Sequence, residues 1–450
     1  MSDDSHTQAP GPKAVQEVDD ERVQTDEEIM LQGIAKQKEL IDGMPGDTSD
    51  EKLRRAPHQK KLGQLEFQYH LSVEKKRLAN ELTRFEERYG AVYSEPCLLC
   101  LEDIHVQAVE GAINVFYCCG GFICKVCWPW PDPPGFDKCP LCREPIVESS
   151  DVENIPKLMA FVEKGVTWFQ TYVGKCMIRG LRGFEKQEEM GLEWLHKAAD
   201  QNHPPALYLL SLYHRFGFSS LMKSNEKANE LVLKSASFGH SWANSFLAEC
   251  YYRGIHGFEK DPDEAHFRAS VAFALDEKGD LNNSAAKTMG HIHWGVKTEP
   301  SLYLALYYLN IAANYEGQSC DVACYLYSQE LLRLCGHLHH RDGESKDANY
   351  QIPGFNALPS SIFWVRKSNN TGRDVLQKWE ALLQTKCSNC QKKTQPGEKI
   401  EQCTECKAQW YCSKECQGEA WRAGHKKDCK RARILKFEDY LNGSAFVEND

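Results

Sequence analysis

Eight cysteines fall within residues 97–142, and seven more, with His425, fall within residues 387–429. Only Cys176, Cys250, Cys320, Cys324 and Cys335 lie between the two groups. The C-terminal group runs CSNC (387–390), CTEC (403–406), YCSKEC (411–416) and HKKDC (425–429). Its donors are Cys387, Cys390, Cys403, Cys406, Cys412, Cys416, His425 and Cys429. Eight thiolate and imidazole donors in short-spaced pairs suit two closed tetrahedral sites, and soft donors select zinc over calcium or magnesium. Any four cysteines could hold an iron–sulfur cluster, but the histidine and the pair spacing favour zinc. The N-terminal group runs CLLC (97–100), CCGGFICKVC (118–127) and CPLC (139–142). Cys97, Cys100, Cys118, Cys119, Cys124, Cys127, Cys139 and Cys142 again number the eight ligands that two zinc ions need. Neighbouring side chains normally diverge, so Cys118 and Cys119 can share one ion only if Gly120-Gly121 bends the backbone beside them. The other completion of that tetrahedron uses His105 or a water. The five middle cysteines read as small buried hydrophobes.

The elements that must carry these ligands divide the chain as follows. Residues 1–26 are polar and expected to be a disordered tail. Residues 27–90 form a charged helical arm. Within it Leu71, Leu78, Leu82, Phe85 and Tyr89 share one helical face, and Gly90 stops the helix. That face spans too few heptads to favour a coiled coil over packing on the next domain. The first finger occupies 91–148. Residues 155–345 are helical and repetitive. At an offset of 37, Ala199 meets Ala236, His203 meets His240, Ala206 meets Ala243, Leu210 meets Leu247 and Gly217 meets Gly254. Small residues at matched positions let paired helices approach, which is the pattern of a helix-pair solenoid. Looser units begin near residues 282 and 304. Residues 346–384, with Pro353 and Pro359, read as a connector ending in a short helix. The second finger takes 385–431, and 432–450 is a tail. The expected fold is mainly α: a solenoid of helix pairs flanked by two small zinc-finger domains.

The C-terminal finger resembles the MYND family, including Tyr411 before the third pair, Gln417 and Trp421. That resemblance implies alternating pairs: Cys387, Cys390, Cys412 and Cys416 on one zinc, and Cys403, Cys406, His425 and Cys429 on the other. It also implies binding of short proline-containing peptides. The repeats resemble Sel1-like repeats, relatives of the tetratricopeptide repeat. The N-terminal finger resembles a RING finger with cysteine in place of the usual histidine. The resemblance implies Cys97, Cys100, Cys124 and Cys127 on one zinc, and Cys139, Cys142 and the Cys118-Cys119 pair on the other. It further implies docking of a ubiquitin-conjugating enzyme through Leu99, Pro140 and Arg143, with Trp128 or Trp130 contributing. Such a finger has no nucleophile and acts by orienting its partner's thioester. Each docking residue also has a plain structural reading as core, turn or surface charge.

Composition narrows the rest. The formal net charge is -10, which argues against a general nucleic-acid binder. Counting ligand ionisation and the zinc ions, residues 385–433 carry about +3, only mildly basic. No eighteen-residue apolar run spans a membrane, and the N-terminus lacks the pattern of a signal peptide. Twenty cysteines without disulfide spacing fit a reducing compartment, cytoplasmic or nuclear. No phosphate-binding loop, zinc-protease helix or serine elbow occurs. His337, His339 and His340 near Cys335 read as a solvated helix end. The expected function is a RING-type ubiquitin ligase recruiting substrates through its repeats and MYND finger; the alternative is a non-enzymatic zinc-finger adapter.

Overall fold

The computed structural model describes residues 13–45, 49–105, 113–127, 137–146, 150–218, 221–275, 283–296, 299–314, 320–334, 357–368, 371–395, 398 and 400–442. Trp128, Trp130, Cys335, the histidines at 337, 339 and 340, and the side chains of His105 and Cys320 lie outside the described residues. The chain forms two compact units, Arg77–Ile292 and Met1–Lys76 together with His293–Asp450.

Helices α1 (Lys13–Asp42) and α2 (Ser49–Tyr89) make up the N-terminal arm. The first starts directly after Pro12, inside the span expected to be disordered. From Lys13 to Gln32 there is no proline or glycine to break a helix. In the first unit the end of α2 packs on the helical repeats, whereas the domain next to it in sequence is the finger. Phe85 is fully buried and clusters with Leu82 and Tyr89 against Phe267 and Val271. Gly90 then ends the helix at φ +88°.

The finger that follows is built from two short antiparallel hairpins. Strands β1 (Ser94–Pro96) and β2 (Asp103–His105) pair with Ser94 opposite His105. Strands β3 (Ile113–Val115) and β4 (Phe122–Cys124) pair with Ile113 opposite Cys124. The finger shares one core with the next two helices, α3 (Asp151–Glu163) and α4 (Thr167–Arg179). Phe116, Phe122, Ile123 and Cys139 are buried together with Leu158, Val162, Trp168 and Phe169. A capping box opens α3: the Ser150 hydroxyl accepts from the Glu153 amide, and the Glu153 carboxylate accepts from the Ser150 amide.

The solenoid continues through α5 (Glu188–Asp200), α6 (Pro204–Phe216), α7 (Asn225–Ser237), α8 (Ser241–Arg253), α9 (Pro262–Ala274) and α10 (Asn283–Val296). The starts of α4, α6 and α8 are 37 residues apart, as are those of α5, α7 and α9. The small residues matched across the repeat, Ala199 with Ala236 and Ala206 with Ala243, are buried in the helix-pair cores, and other small residues mark the closest helix contact. A Cβ on Gly174 would stand 2.7 Å from the Gly191 carbonyl oxygen, so α4 and α5 are in backbone contact. The same two slots hold Ser211 and Ala228 in the next pair, then Ala248 and Ala265, all buried. His203 and His240 precede α6 and α8 as N-caps and are buried.

In the second unit α11 (Glu299–Ala313), α12 (Cys320–Leu334) and α13 (Leu358–Lys367) pack in succession. The stretch expected to be a connector with one helix holds two, α13 and α14 (Arg373–Leu383). Pro359 sits in the first turn of α13, where a missing N–H costs nothing, so it starts a helix rather than a loop. Buried Ile362 and Trp364 place α13 in the core. The last finger consists of β5 (Glu401–Gln402), β6 (Trp410–Tyr411), α15 (Lys414–Ala420), a segment kinked at Gly424 (Trp421–His425) and α16 (Lys426–Arg431), and α17 (Phe437–Asn442) follows.

Candidate metal centres

The sixteen predicted ligands gather into four groups of four: Cys97, Cys100, Cys124 and Cys127; Cys118, Cys119, Cys139 and Cys142; Cys387, Cys390, Cys412 and Cys416; and Cys403, Cys406, His425 and Cys429. Within each group every ligand atom lies within 4.8 Å of the others. The pairing alternates in both fingers.

Four of the eight pairs are built by one local device. In these four C-x2-C turns the amide after the second cysteine donates to the first cysteine's carbonyl. The donors are Leu101, Arg143, Gln391 and Lys407, at 2.9, 2.9, 3.0 and 3.0 Å. Those same four residues have positive φ, between 52° and 68°. The first cysteine's own amide then donates across the turn to Glu102, Glu144, Lys392 and Gln409 respectively. Each turn therefore closes a small hairpin with the first cysteine buried. The left-handed residue was not legible in the sequence, because none of the four is glycine.

Bond lengths test whether zinc fits. With a Zn–S bond of about 2.3 Å, the edge of a tetrahedron is about 3.8 Å. Cys100 and Cys124 Sγ are 3.8 Å apart, Cys119 and Cys139 3.7 Å, Cys118 and Cys142 3.4 Å. In the second finger Cys390 and Cys412 are 3.7 Å apart and Cys403 and Cys429 3.9 Å. His425 Nε2 lies 3.7 Å from Cys406 Sγ and 3.3 Å from Cys403 Sγ. These separations are far too long for disulfides and match shared tetrahedra. Every described cysteine is free.

Electrostatics point the same way. Burial raises the Cys97 thiol, but amides of Cys100, Cys124 and Leu99 outweigh it and bring it down to about 6. Cys387 likewise falls to about 6 against its burial, through the amides of Cys412, Cys390 and Asn389. Their neighbours go the other way. Burial and the adjacent Cys142 and Cys139 push Cys118 up, and burial and the nearby thiolates raise Cys429 to about 11. Each all-cysteine group holds one lowered thiol, Cys97, Cys139 or Cys387, beside at least one raised neighbour, a conflict that a bound dication removes. Burial lowers His425, keeping its imidazole neutral as a ligand must be.

The doubled cysteine is accommodated by its glycines. Gly120 adopts φ +73°, and Gly121 passes so close to Leu141 that any Cβ there would collide. Cys118 and Cys119 thereby face Cys139 and Cys142 together, without a histidine. The second finger is fastened to α13. Arg366 donates to the carbonyls of Cys406 at 3.2 Å and Lys407 at 2.9 Å and pairs with Glu380 at 2.7 Å. Sequence reasoning missed Arg366, for which only its place before a turn gives any signal.

Of the predicted docking residues, Leu99 and Arg143 are exposed and Pro140 is half-buried. Cys176, Cys250 and Cys324 are buried. His291 packs on Tyr252 and is pushed down to about 4 by burial.

This geometry defines a helical-repeat protein with clustered zinc-binding cysteines at both ends of the repeat region. Residues 387–429 match the MYND finger, and residues 169–203, 204–240 and 243–267 match the Sel1 repeat. The chain thus carries a C-terminal MYND finger and three Sel1 repeats, modules of protein–protein interaction. Among solved structures it is similar to a protective antigen of uropathogenic Escherichia coli displaying an SLR fold. The identity is 19%, the TM-score 0.41, and the match covers 53% of this chain and 45% of the antigen. It is also similar to a Sel1 repeat protein from Oxalobacter formigenes, at 20% identity and TM-score 0.39, over 51% of this chain and 85% of that one. The chain spans less than half the length of the first. Among the described residues no helix is long and apolar enough to cross a membrane.

Proposed function

We propose that this zinc-binding adapter is a RING-type ubiquitin ligase, held in the cytoplasm or nucleus by its need for reduced thiols. The sixteen gathered residues are its zinc ligands, four ions in all. The observation that carries the ligase reading is an apolar group left outside on the first zinc site. Leu99 is 39% exposed, Leu101 74% and Val126 77%, although the finger already buries a core of its own. An exposed apolar cluster on a metal-clamped domain is a partner surface. Arg143, exposed beside the second site, supplies donors that bridge a conjugating enzyme and ubiquitin. The finger brings no nucleophile: its residues orient the partner's thioester for attack by a substrate lysine held elsewhere on the protein. Zinc supplies the cross-links that hold this surface rigid. The MYND finger and the repeats take substrates, the finger through proline-containing peptides.

A second reading leaves the finger non-enzymatic, as the cap of the solenoid. It is supported by the core that the finger shares with α3 and α4. Ubiquitin-chain formation by the zinc-loaded protein, across a panel of conjugating enzymes, separates the two. The ligase makes chains, and Leu99→Ala or Arg143→Ala weakens them with zinc content unchanged. Zinc-loaded protein that makes none with any enzyme of the panel leaves only the adapter.

A further inference from the structure

The three Sel1 repeats contain the same interhelical loop, and one copy departs from the other two. In each, a left-handed glycine ends the first helix: Gly180, Gly217 and Gly254 at φ 64°, 64° and 68°. In each, the next amide turns back onto that helix: Leu181 onto the Cys176 carbonyl, Phe218 onto Tyr213 and Ile255 onto Cys250, at 3.0, 3.0 and 3.2 Å. In each, the loop is closed by a bond across it: Gln187 to Met177, Ser224 to His214 and Asp261 to Tyr251, all at 2.9 Å. A Cβ on each glycine would meet the same lysine, Lys186, Lys223 or Lys260, at 3.3–3.4 Å. Positions 37 apart are therefore the same structural slot.

Two exposed slots change character in the middle copy. The residue before the glycine is Arg179 in the first repeat and Arg253 in the third, but Phe216 in the second. The residue before the lysine is Glu185 and Glu259 in those repeats, but Met222 in the second. Phe216 is 69% exposed and Met222 86%. Each lies two residues inside the bond that closes the loop, and exposed Phe218 stands between them. The fold tolerates charge in both slots, so bulky apolar groups there add nothing that the other repeats need.

The charge of this loop is equally distinctive. Residues 215–224 hold Arg215 and Lys223 and no acid. Arg215 is 2% exposed, in a slot that Ile178 fills in the first repeat. Its Nη2 donates to the neutral Asn229 Oδ1 at 2.8 Å, and its guanidinium lies over the Phe246 ring at 4.9 Å. Its Nε and Nη1 have no hydrogen-bond partner, and it is in no ion pair among the described residues. A buried cation without an anion leaves an uncompensated positive potential at the surface above it.

We infer that Phe216, Phe218, Met222 and Lys223 form a docking site for a linear acidic peptide of a partner protein that carries a bulky apolar anchor. The anchor rests on Phe216, Phe218 and Met222, and flanking aspartate or glutamate side chains answer Lys223 and the field of Arg215. The inference rests on the adapter reading and names the partner class of the repeats.

The test is a random dodecapeptide phage library panned on the full-length, zinc-loaded protein, followed by affinity measurement on synthetic copies of the selected peptides. Phe216→Arg with Met222→Glu restores the residues that the other two repeats carry in these slots. That variant keeps the wild-type circular-dichroism melt. The site predicts selected peptides with an aromatic or aliphatic anchor among acids, bound at least tenfold more weakly by the variant and by Lys223→Glu. Basic or uncharged peptides, or peptides bound equally by the variants, would overturn it while leaving the adapter standing. No selected peptide at all would count against both. A wild-type dimer that the variant converts to monomer would make a second copy the occupant and overturn the inference.

Discussion

Gly120→Ala isolates the device that lets two adjacent cysteines share a metal. At φ +73° an L residue costs about 1–2 kcal/mol. The added methyl would also stand 2.7 Å from Phe161 Cε1. That ring cannot simply swing away, because it is stacked on Phe169 at 4.7 Å in the core shared by the finger and α3. Overpacking of this kind costs about 1–3 kcal/mol. Together the two effects weaken the site by about 2–5 kcal/mol, roughly 30- to 5,000-fold in zinc affinity. Competitive titration with a chromogenic chelator reads this directly. The ion held by Cys118, Cys119, Cys139 and Cys142 should be the one lost. Adding Phe161→Ala should recover the steric part and leave the backbone part. Gly295→Ala, whose Cβ meets nothing within 4 Å, is the control and should change no ion. Four zinc ions of wild-type affinity in Gly120→Ala would refute the doubled-cysteine geometry.

Two further outcomes follow from the same structure. His425→Ala removes the only imidazole from its tetrad, so the protein should hold one ion fewer while the Cys387 tetrad stays loaded; simultaneous loss of both MYND ions would contradict the independence of the two sites. His203 and His240 are pushed down to about 3, by burial in both cases and also by His203 for His240. Unfolded histidine titrates near 6.5, so below that pH the unfolded chain binds more protons and stability falls toward pH 3. The loss is about 2 kcal/mol for each histidine by pH 5. In thermal melts, His203→Gln with His240→Gln should lose less stability than wild type between pH 7.5 and 5; an equal loss would contradict the assignment.

The repeat and the ligand sets were the most legible parts of the sequence, for a physical reason. Both depend on residue types at fixed spacings. Only small residues fit where helices pack closely, so the matched Ala199 and Ala236 or Ala206 and Ala243, all buried, mark the repeat. Only cysteine and histidine serve as soft ligands, so the pairs announce themselves. What stayed hidden depends on conformation or distant contact. The positive φ of Leu101, Arg143, Gln391 and Lys407 is imposed by each turn's hydrogen bonds, not by residue type. The core between Phe116, Phe122 and α4 joins residues about fifty apart in the chain, which no local pattern records. Helix α13 was obscured because Pro359 reads as a loop signal until its place in the first turn is known. The departure of the middle repeat at Phe216 and Met222 was present in the sequence. It became meaningful only when the hydrogen bonds showed which slots correspond.

The account stands on four cross-braced metal sites, two of them in a finger whose second ligand pair is a doubled cysteine. Native mass spectrometry of the full-length protein, purified under reducing conditions, counts the ions. Four zinc ions per chain are expected, with two remaining when Cys97, Cys100, Cys124 and Cys127 and the Cys118, Cys119, Cys139 and Cys142 set are replaced by serine. Two ions in the wild-type protein, both lost on removing residues 385–431, would contradict it.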